Sequence, residues 1–415
     1  MQIPVLQKIN TDRLWQRHLD LAALGATKAG GVHRLAMSPE DITAHVLVAD
    51  WAKESGFTVQ LDAIGNMFIC RPGREPSLSA VASGSHTDTQ PFGGQFDGSL
   101  GVLCAFETLE TLEDAGIETR HPVEAVIWNN EEGARFMPGL SGSGTYVGNY
   151  DLDAMLDCRD DTGVVMRDCV AELHKALPEA GHRELGAPFA GFIEAHIEQD
   201  LILEGSGDTI GVVTGMQGNR RFNVIVTGEN AHSGTTPRSR RKDAFVAATD
   251  MAVALRGVLW DKEDVARFTI GKFEVGPGAK SVVPGRVEFF IDFRHPTADI
   301  LKKLGDQIEP LCDQLKGPCQ VDIREISSAA PVDFPAEIQQ CIKQAADARG
   351  YPNQAIYSCA GHDARFLAEV CPSGMVFIPC WKGISHNEAE RAEREHVAAG
   401  AQIVCDVVTR LACKA

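Results

Sequence analysis

Histidine and carboxylate side chains recur in four short segments, and these are the residue types that bind divalent metal ions in hydrolytic enzymes. Each candidate ligand follows or closes a short apolar run that is typical of a β-strand. Binding sites of α/β sheets lie outside the carboxyl ends of the strands, so we expect these side chains to meet there. A cluster of like charges repels itself unless a cation is present, which predicts a two-metal hydrolytic site. The segments are Gly84–Asp88 followed by Asp97, Asn129–Gly133, Glu194–Gln199 and Gly383–Asn387.

The first segment contains a His-x-Asp pair. We interpret His86 as a metal ligand and Asp88 as the residue that fixes the tautomer and orientation of its ring. Asp97 lies in the glycine-rich stretch Gly93–Gly98, where glycines let the backbone approach a bound group closely. Taken alone, the pair is more often a hydrogen-bonded turn and the stretch is as often a flexible loop. The metal interpretation therefore depends on the four segments together.

Two adjacent acids, Glu131 and Glu132, follow the nearly continuous apolar run Val123–Trp128. Adjacent side chains on an extended backbone point to opposite sides, so two neighbouring acids at one site usually have different tasks. One of them would bind a metal ion while the other takes a proton from the attacking water. His196 and His386 are the remaining candidate ligands, although each alone could be an ordinary core or surface histidine.

Composition limits the classes of protein that are possible. A chain of 415 residues is too long for one ordinary core, so two domains are expected. The formal net charge of −18 argues against nucleic acid and anionic membranes as partners. The 12 cysteines have no paired spacing, and the N-terminal residues have no apolar leader segment, so we expect reduced thiols and a cytoplasmic location.

Alternating strands and helices predict an α/β layered domain. Thr11 and Ser38 are predicted helix caps, and Ser38 is followed by a proline at the first helical position. A strand over 79–83 would deliver His86, and Ser99 would cap the helix after Asp97. The nearly continuous apolar run 123–128 is typical of a strand covered on both faces.

The pattern changes near Thr214. From there to about Ala330 it indicates strand, helix, strand, strand, helix and strand, the β-α-β-β-α-β order of a ferredoxin-like unit. We therefore predict a catalytic domain formed by residues 1–213 and 330–415, with a small domain inserted at 214–329. The predicted helices and strands of the insertion are Arg221–Thr227, Lys242–Leu255, Ala266–Glu274, Arg286–Phe293, Ala298–Leu315 and Gln320–Ile326.

The chain resembles the amidase, hydantoinase and carbamoylase group of zinc hydrolases. The relatives of this group are the glutamate-carboxypeptidase and aminoacylase metallopeptidases. The resemblance covers essentially the whole chain. It implies a mixed-sheet α/β catalytic domain that binds two zinc ions, with the inserted domain serving as a lid and for homodimerisation. The motifs that carry it are Gly84–Thr89, Asn130–Phe136, Ala231–Pro237, Gly361–Ala364 and Gly383–Asn387.

The resemblance also implies a role for each metal-site residue. Asp97 would bridge two metal ions, with His86 and His196 completing the ligands of one. Glu132 and His386 would complete the ligands of the other, and Glu131 would be the general base. Peptidase relatives usually have an acid where this chain has His196, which favours the amidase branch.

Further roles are implied for residues that would contact the substrate. His232 would stabilise the oxyanion, reaching the site of a partner subunit, and Arg294 would grip the substrate carboxylate. Gln199 would contact the substrate or a metal-bound group, and Gly361 would offer its backbone. The family commonly has Asn where this chain has Ser281, and a shorter hydroxyl there leaves the substrate open.

The resulting hypothesis is metal-assisted hydrolysis of a linear amide in an N-carbamoyl carboxylic acid, with an N-carbamoyl-L-amino acid as the first choice. Allantoate, ureidoglycolate and 3-ureidopropionate share the same ureido and carboxylate groups. Zinc suits the ligands, and manganese, cobalt or nickel could occupy the same positions. Two other hypotheses are a dipeptidase or aminoacylase with the same metals, and a non-catalytic binding protein that keeps the fold.

Overall fold

The computed structural model describes residues 7–414. The chain divides into a larger unit, which ends at Thr214 and resumes at Phe334, and an inserted unit, Gly215–Asp333. The second boundary lies slightly later than the sequence suggests, because Val332 and Asp333 still pair with Met216 and Gly215.

The bounds of the regular elements are as follows. The strands are β1 (Thr58–Leu61), β2 (Met67–Arg71), β3 (Ala80–His86), β4 (Val123–Trp128), β5 (Gly181–His182), β6 (Phe189–Ile197), β7 (Ile210–Met216), β8 (Gly218–Thr227), β9 (Ala231–His232), β10 (Arg267–Gly276), β11 (Val282–Val283), β12 (Arg286–His295), β13 (Gln320–Ala329), β14 (Val332–Asp333), β15 (Asn353–Ser358) and β16 (Ser373–Ile378). The α-helices are α1 (Thr11–Ala22), α2 (Pro39–Glu54), α3 (Ser99–Asp114), α4 (Ser141–Tyr146), α5 (Leu152–Leu156), α6 (Met166–Ala176), α7 (Ile202–Ser206), α8 (Ala244–Leu259), α9 (Ala298–Gly305), α10 (Ile308–Leu315), α11 (Ala336–Arg349), α12 (Ala364–Leu367) and α13 (Arg394–Ala412).

A mixed sheet forms the centre of the larger unit, in the order β7-β16-β6-β3-β4-β2-β1-β5, with β15 also paired to β7. The four central strands β16, β6, β3 and β4 run parallel to one another. Their carboxyl ends therefore lie at one edge of the sheet, and each is followed or closed by a predicted ligand segment. The predicted mixed-sheet α/β fold is confirmed.

The central strands are largely apolar because both of their faces are covered. Every residue of β3, β4 and β16 is buried, and α3 and α13 pack against β3 and β6. A strand covered on both faces has no solvent side, so it loses the alternation of apolar and polar residues. This explains why Val123–Trp128 could be delimited from the sequence.

Two predicted helix caps are wrong by one residue. The N-cap of α1 is Asn10, whose side chain accepts a hydrogen bond from the Arg13 amide, and Thr11 is the first helical residue. The N-cap of α3 is Gly98, with φ of 65°, rather than Ser99. Ser38 does cap α2, accepting a hydrogen bond from the Asp41 amide.

The inserted unit contains a four-stranded antiparallel sheet in the order β10-β12-β8-β13. Alternate residues of β12 are buried against a core that includes residues of α8, α9 and α10. The single helix predicted over 298–315 is wrong, because the structure has α9 and α10 there. Pro310 explains the interruption, since proline has no amide proton to continue a helix and is tolerated only in its first turn.

Among residues 7–414, no helix is long and apolar enough to cross a membrane. None of the 12 cysteines, all of which lie in that range, forms a disulfide, and most of them are buried.

Candidate metal centre

Asp97 lies at the centre of two adjacent groups of potential metal ligands. Its Oδ1 is 3.0 Å from His196 Nε2 and 3.7 Å from His86 Nε2. Its Oδ2 is 3.4 Å from His386 Nε2, and that nitrogen is 3.4 Å from Glu132 Oε2. Within each group the donor atoms all lie within 4.8 Å of one another. The structure thus brings together all five residues predicted as metal ligands, with Asp97 shared.

Main-chain carbonyls orient two of the histidines. His86 Nδ1 lies 2.9 Å from the carbonyl oxygen of Asp88, and His196 Nδ1 lies 2.9 Å from that of Ile197. A carbonyl only accepts, so each Nδ1 bears the proton. In the neutral ring this leaves the Nε2 lone pair directed at Asp97, which is the tautomer that a metal ion requires.

The predicted role of Asp88 needs correction. Its carboxylate is 3.6 Å from His86 Nδ1, too far for a hydrogen bond, and its main-chain carbonyl orients the ring instead. The carboxylate oxygens accept hydrogen bonds from the amides of Glu131 and Glu132, both at 3.2 Å. Asp88 therefore fixes the ends of β3 and β4 relative to one another.

Glu131 and Glu132 have different neighbours, as the sequence predicts for adjacent acids. Glu132 Oε2 faces His386 and accepts a hydrogen bond from Gln90 Nε2 at 2.9 Å. Glu131 Oε2 lies 3.5 Å from His86 Nε2. The preceding residue, Asn130, has φ of 52°, so the chain turns sharply as it leaves β4.

The charges of the cluster fit a bound cation. Burial, followed by the nearby negative charge of Asp363, raises the pKa of Glu131 well above its usual range. Burial and the charge of Asp97 do the same to the pKa of Glu132. Burial opposes ionisation of Asp97 too, but the hydrogen bond and charge of His196 hold its pKa below the usual range. Divalent cations would favour the ionised form of all three carboxyls.

Gln199 supplies a further sign of fit. Its Nε2 donates to Asp97 Oδ2 at 3.0 Å and to Ser385 Oγ at 2.9 Å, and its φ of 61° turns it into the cluster. Its Oε1 is buried without a hydrogen-bond partner. A buried amide oxygen without a hydrogen-bond partner is destabilising unless a cation or ligand group approaches it.

Gly361 lies next to His362, whose ring is 4.5 Å from that of His196, centroid to centroid.

Three predicted substrate residues lie in the inserted unit. His232, in β9, is exposed, and its Nδ1 accepts hydrogen bonds from the amides of Gly234 (3.0 Å) and Thr235 (3.1 Å). Those contacts place the proton of the neutral ring on Nε2, which is then a donor. Arg294 forms a bidentate pair with Asp292, at 2.9 and 3.1 Å, and exposed Ser281 lies just before β11.

Two residues beside Asp97 were missed by the sequence interpretation. Ser385 Oγ is 2.7 Å from Asp97 Oδ2, and buried Glu390 accepts hydrogen bonds from the amides of Phe96 and Asp97. Glu390 follows His386 by four positions, and an acid so close to a ligand was the available signal. The predicted ligand segment ends at Asn387, because nothing local in the sequence indicates that residue 390 returns to Asp97.

Comparisons with known proteins agree with this geometry. Residues 82–410 match the peptidase family M20/M25/M40. An N-carbamoyl-L-amino-acid amidohydrolase of Rhizobium meliloti is 36% identical over 411 residues, which cover 98% of this chain and 97% of that protein. An allantoate amidohydrolase of Escherichia coli is 32% identical over 399 residues, covering 94% and 96%.

A solved structure extends the agreement to the fold. The crystal structure of an amidase of the hydantoinase/carbamoylase family from Burkholderia multivorans has a TM-score of 0.89 and 39% identity, and the match covers 99% of this chain and 100% of that one. The predicted resemblance to this group is confirmed, and enzymes of the M20 family are metal-dependent. The chain therefore belongs to the peptidase family M20/M25/M40 and is an enzyme of its amidohydrolase branch.

Proposed function

We propose that this chain hydrolyses the linear amide bond of an N-carbamoyl-L-amino acid with two divalent metal ions, zinc by first choice. The observation that carries the proposal is the shared position of Asp97 between His86 and His196 on one side and Glu132 and His386 on the other. Mixed histidine and carboxylate ligands suit zinc, and manganese, cobalt or nickel accept the same donors. Bound ions would lower the pKa of the attacking water and polarise the scissile carbonyl.

Glu131 is the proposed general base. It is not needed as a ligand in either donor group, and it is 3.5 Å from His86 Nε2. The carboxylate takes a proton from the attacking water as the carbon–oxygen bond forms. It then returns that proton to the nitrogen of the amino acid as the carbon–nitrogen bond breaks. The released carbamic acid separates into ammonia and carbon dioxide, so one water is consumed for each substrate.

The inserted unit is proposed to act as a lid and to form a homodimer, as the family resemblance implies. His232 would donate its Nε2 proton to the oxyanion, and the two amides bound to its Nδ1 support this tautomer. The site that it serves would be that of a partner subunit. Arg294 would bind the substrate carboxylate, a task for which its fork of donors is suited.

Gln199, Ser281 and Gly361 are proposed to contact the substrate. Gln199 has the buried amide oxygen without a partner, while Ser281 and Gly361 are exposed. A cytoplasmic location also stays a prediction.

The substrate is the part of the proposal that needs a direct measurement. Relatives named for N-carbamoyl-L-amino acids and for allantoate are 36% and 32% identical to this chain, so the two classes are compared first. Steady-state kinetics with defined zinc content on N-carbamoyl-L-amino acids, allantoate, ureidoglycolate and 3-ureidopropionate would rank them. A kcat/KM for allantoate well above that for every N-carbamoyl-L-amino acid would replace the first choice.

The same panel should include the N-acyl and dipeptide forms of one amino acid. His196, at the position where peptidase relatives usually have an acid, argues against a dipeptidase or aminoacylase. The intact set of five ligands argues against a non-catalytic binding protein. A chain that binds no divalent ion after chelation and reconstitution would overturn the proposal altogether.

A further inference from the structure

Glu390 is a buried carboxylate that contacts two separate loops of the metal centre. Its side chain is almost inaccessible, and Glu390 as a whole is 4% exposed. Oε1 accepts hydrogen bonds from the amides of Phe96, at 2.8 Å, and Asp97, at 3.1 Å. Oε2 lies 3.0 Å from Ser385 Oγ, within hydrogen-bond distance. Such donors stabilise a buried carboxylate and hold it and the loops that bear them in one arrangement.

Ser385 connects this carboxylate to the shared ligand. Its single hydroxyl group lies 2.7 Å from Asp97 Oδ2 and 3.0 Å from Glu390 Oε2. The next residue in the chain is His386, whose side chain is 51% exposed. A side chain so exposed is weakly fixed by packing, and its placement depends on the loop that bears it. Glu390 therefore joins the backbone at Asp97 to the loop of His386.

Gly94 gives an independent indication that the loop is built to accommodate the carboxylate of Glu390. A Cβ at residue 94 would lie 2.0 Å from Cδ and Oε1 of Glu390. The glycine-rich stretch was expected to let the backbone approach a bound group, and the group it approaches is the carboxylate of Glu390. Because the φ of Gly94 is not positive, alanine is excluded there by the carboxylate and not by backbone strain.

We propose that Glu390 is a positioning residue that sets the separation of Asp97 and His386, and through it the affinity for the ion bound by Asp97, Glu132 and His386. This inference rests on the two-ion site of the proposed function. The ion bound by His86 and His196 should be less affected, because main-chain carbonyls orient both of those rings. Residues that orient ligands typically change metal affinity by about 10–100-fold when replaced.

Zinc binding by the full chain tests the inference. Metal-free wild type and the variants Glu390→Ala, Gly94→Ala and Glu390→Gln would be titrated with Zn²⁺ against a chromophoric chelator. The first two variants break the contacts by different routes, one by removing the carboxylate and one by displacing it. We expect both to bind one of the two zinc ions, the one held by Asp97, Glu132 and His386, at least about tenfold less tightly. Glu390→Gln keeps an acceptor for the two amides and should stay within about threefold of wild type.

The matched control is Glu388→Ala, which removes an acid from the same loop. Glu388 accepts a hydrogen bond from Thr27 Oγ1 instead of contacting the ligand loops, so its removal should leave both zinc affinities unchanged. Thermal unfolding of each metal-free variant checks that it folds. If Glu390→Ala does not fold, Gly94→Ala and Glu390→Gln decide the question between them.

The possible results distinguish a failure of this inference from a failure of the proposed two-ion site. Wild-type zinc affinities in Glu390→Ala or Gly94→Ala would overturn the inference and leave the two-ion site intact. Equal weakening in Glu390→Gln and Glu390→Ala would also overturn it, because charge would then matter and geometry would not. A wild-type chain that binds fewer than two zinc ions would overturn both the proposed two-ion site and this inference.

Discussion

The backbone of Gly98 lies directly against the imidazole ring of His86. A Cβ at residue 98 would be 2.3 Å from Cε1 and 2.4 Å from Nδ1 of that ring, closer than any real contact. Gly98 is also the N-cap of α3 and has φ of 65°, a region that glycine enters without strain. Three requirements therefore converge on one residue: the start of α3, the position of Asp97 and the position of His86.

Gly98→Ala should abolish binding of the ion that uses His86, because the added methyl group must displace the ring. The matched control is Gly116→Ala at the other end of α3. Gly116 has φ of 59°, and a Cβ there would meet no atom within 4 Å. Both variants should lose about 1 kcal/mol or more of stability through backbone strain. Zinc content by mass spectrometry should fall only in Gly98→Ala; equal zinc in the two variants would contradict the steric argument.

Glu131→Gln should remove catalysis while leaving metal binding nearly unchanged. The amide cannot take the proton of the attacking water, so kcat should fall by at least about 100-fold. Glu132→Gln is the control, since it alters a predicted ligand that lies 3.4 Å from His386 Nε2, and it should lower zinc content as well as rate. Retention of a near-normal rate by Glu131→Gln, with bound zinc, would show that another group is the base.

Much of this site could be predicted from the sequence because its ligands follow strands. Val123–Trp128 is apolar except for Glu124, so its end can be recognised, and the acids after it are placed with it. Contacts between distant loops have no comparable pattern in the sequence. The link from Glu390 to Asp97 spans 293 residues, and only the folded chain brings them together.

Two smaller errors of prediction have local causes that the sequence pattern does not reveal. The carboxylate of Asp88 was expected to orient His86, but two amides of the next strand end bind it, and its carbonyl orients the ring instead. Pattern alone cannot show which group of one residue forms a given hydrogen bond. The helix predicted over 298–315 failed for a similar reason, since its apolar periodicity continues across an interruption before Pro310.

Arg294→Lys should raise KM for the carboxylate substrate by about tenfold or more, with a smaller change in kcat. A lysine offers a point charge in place of the fork that pairs with Asp292 at 2.9 and 3.1 Å. Arg286→Lys is the control: it lies on the same strand, is exposed, and pairs with Glu288. Steady-state kinetics on one N-carbamoyl-L-amino acid would test both, and an unchanged KM in Arg294→Lys would remove the arginine from the substrate site.

The metal-free protein should lose stability as the pH rises from 5 to 8. Burial raises the pKa of Asp62 to about 7, and burial with the charge of Asp41 raises the pKa of Asp88 to about 8. Their ordinary value is 3.8, so over this range the folded chain retains protons that the unfolded chain has released. The free energy of unfolding then falls with pH.

His196 and Asp97 also differ in pKa from their ordinary values in the folded chain. Burial opposes protonation of His196, but its hydrogen bond to Asp97 raises the pKa to about 9, so its contribution is also lost as the pH rises above 6.5. Asp97, whose pKa is lowered, acts in the opposite direction only below about pH 4, where its ordinary value lies. Each group that keeps its proton in the folded chain contributes about 1.4 kcal/mol per pH unit, so the expected fall between pH 5 and 8 is several kcal/mol, measured by urea unfolding in the presence of a chelator.

Zinc should reduce this fall, because cations favour the ionised form of the cluster and bind only the folded chain. The variant Asp62→Asn provides the control, because Asp62 accepts hydrogen bonds from Asn66 and belongs to neither group of metal ligands. Asp62→Asn should be less stable overall, because its new amide would face the Asn66 amide, yet its pH dependence should be shallower with or without zinc. A stability that rises from pH 5 to 8 in the metal-free wild type would show that these acids are ionised in the folded chain.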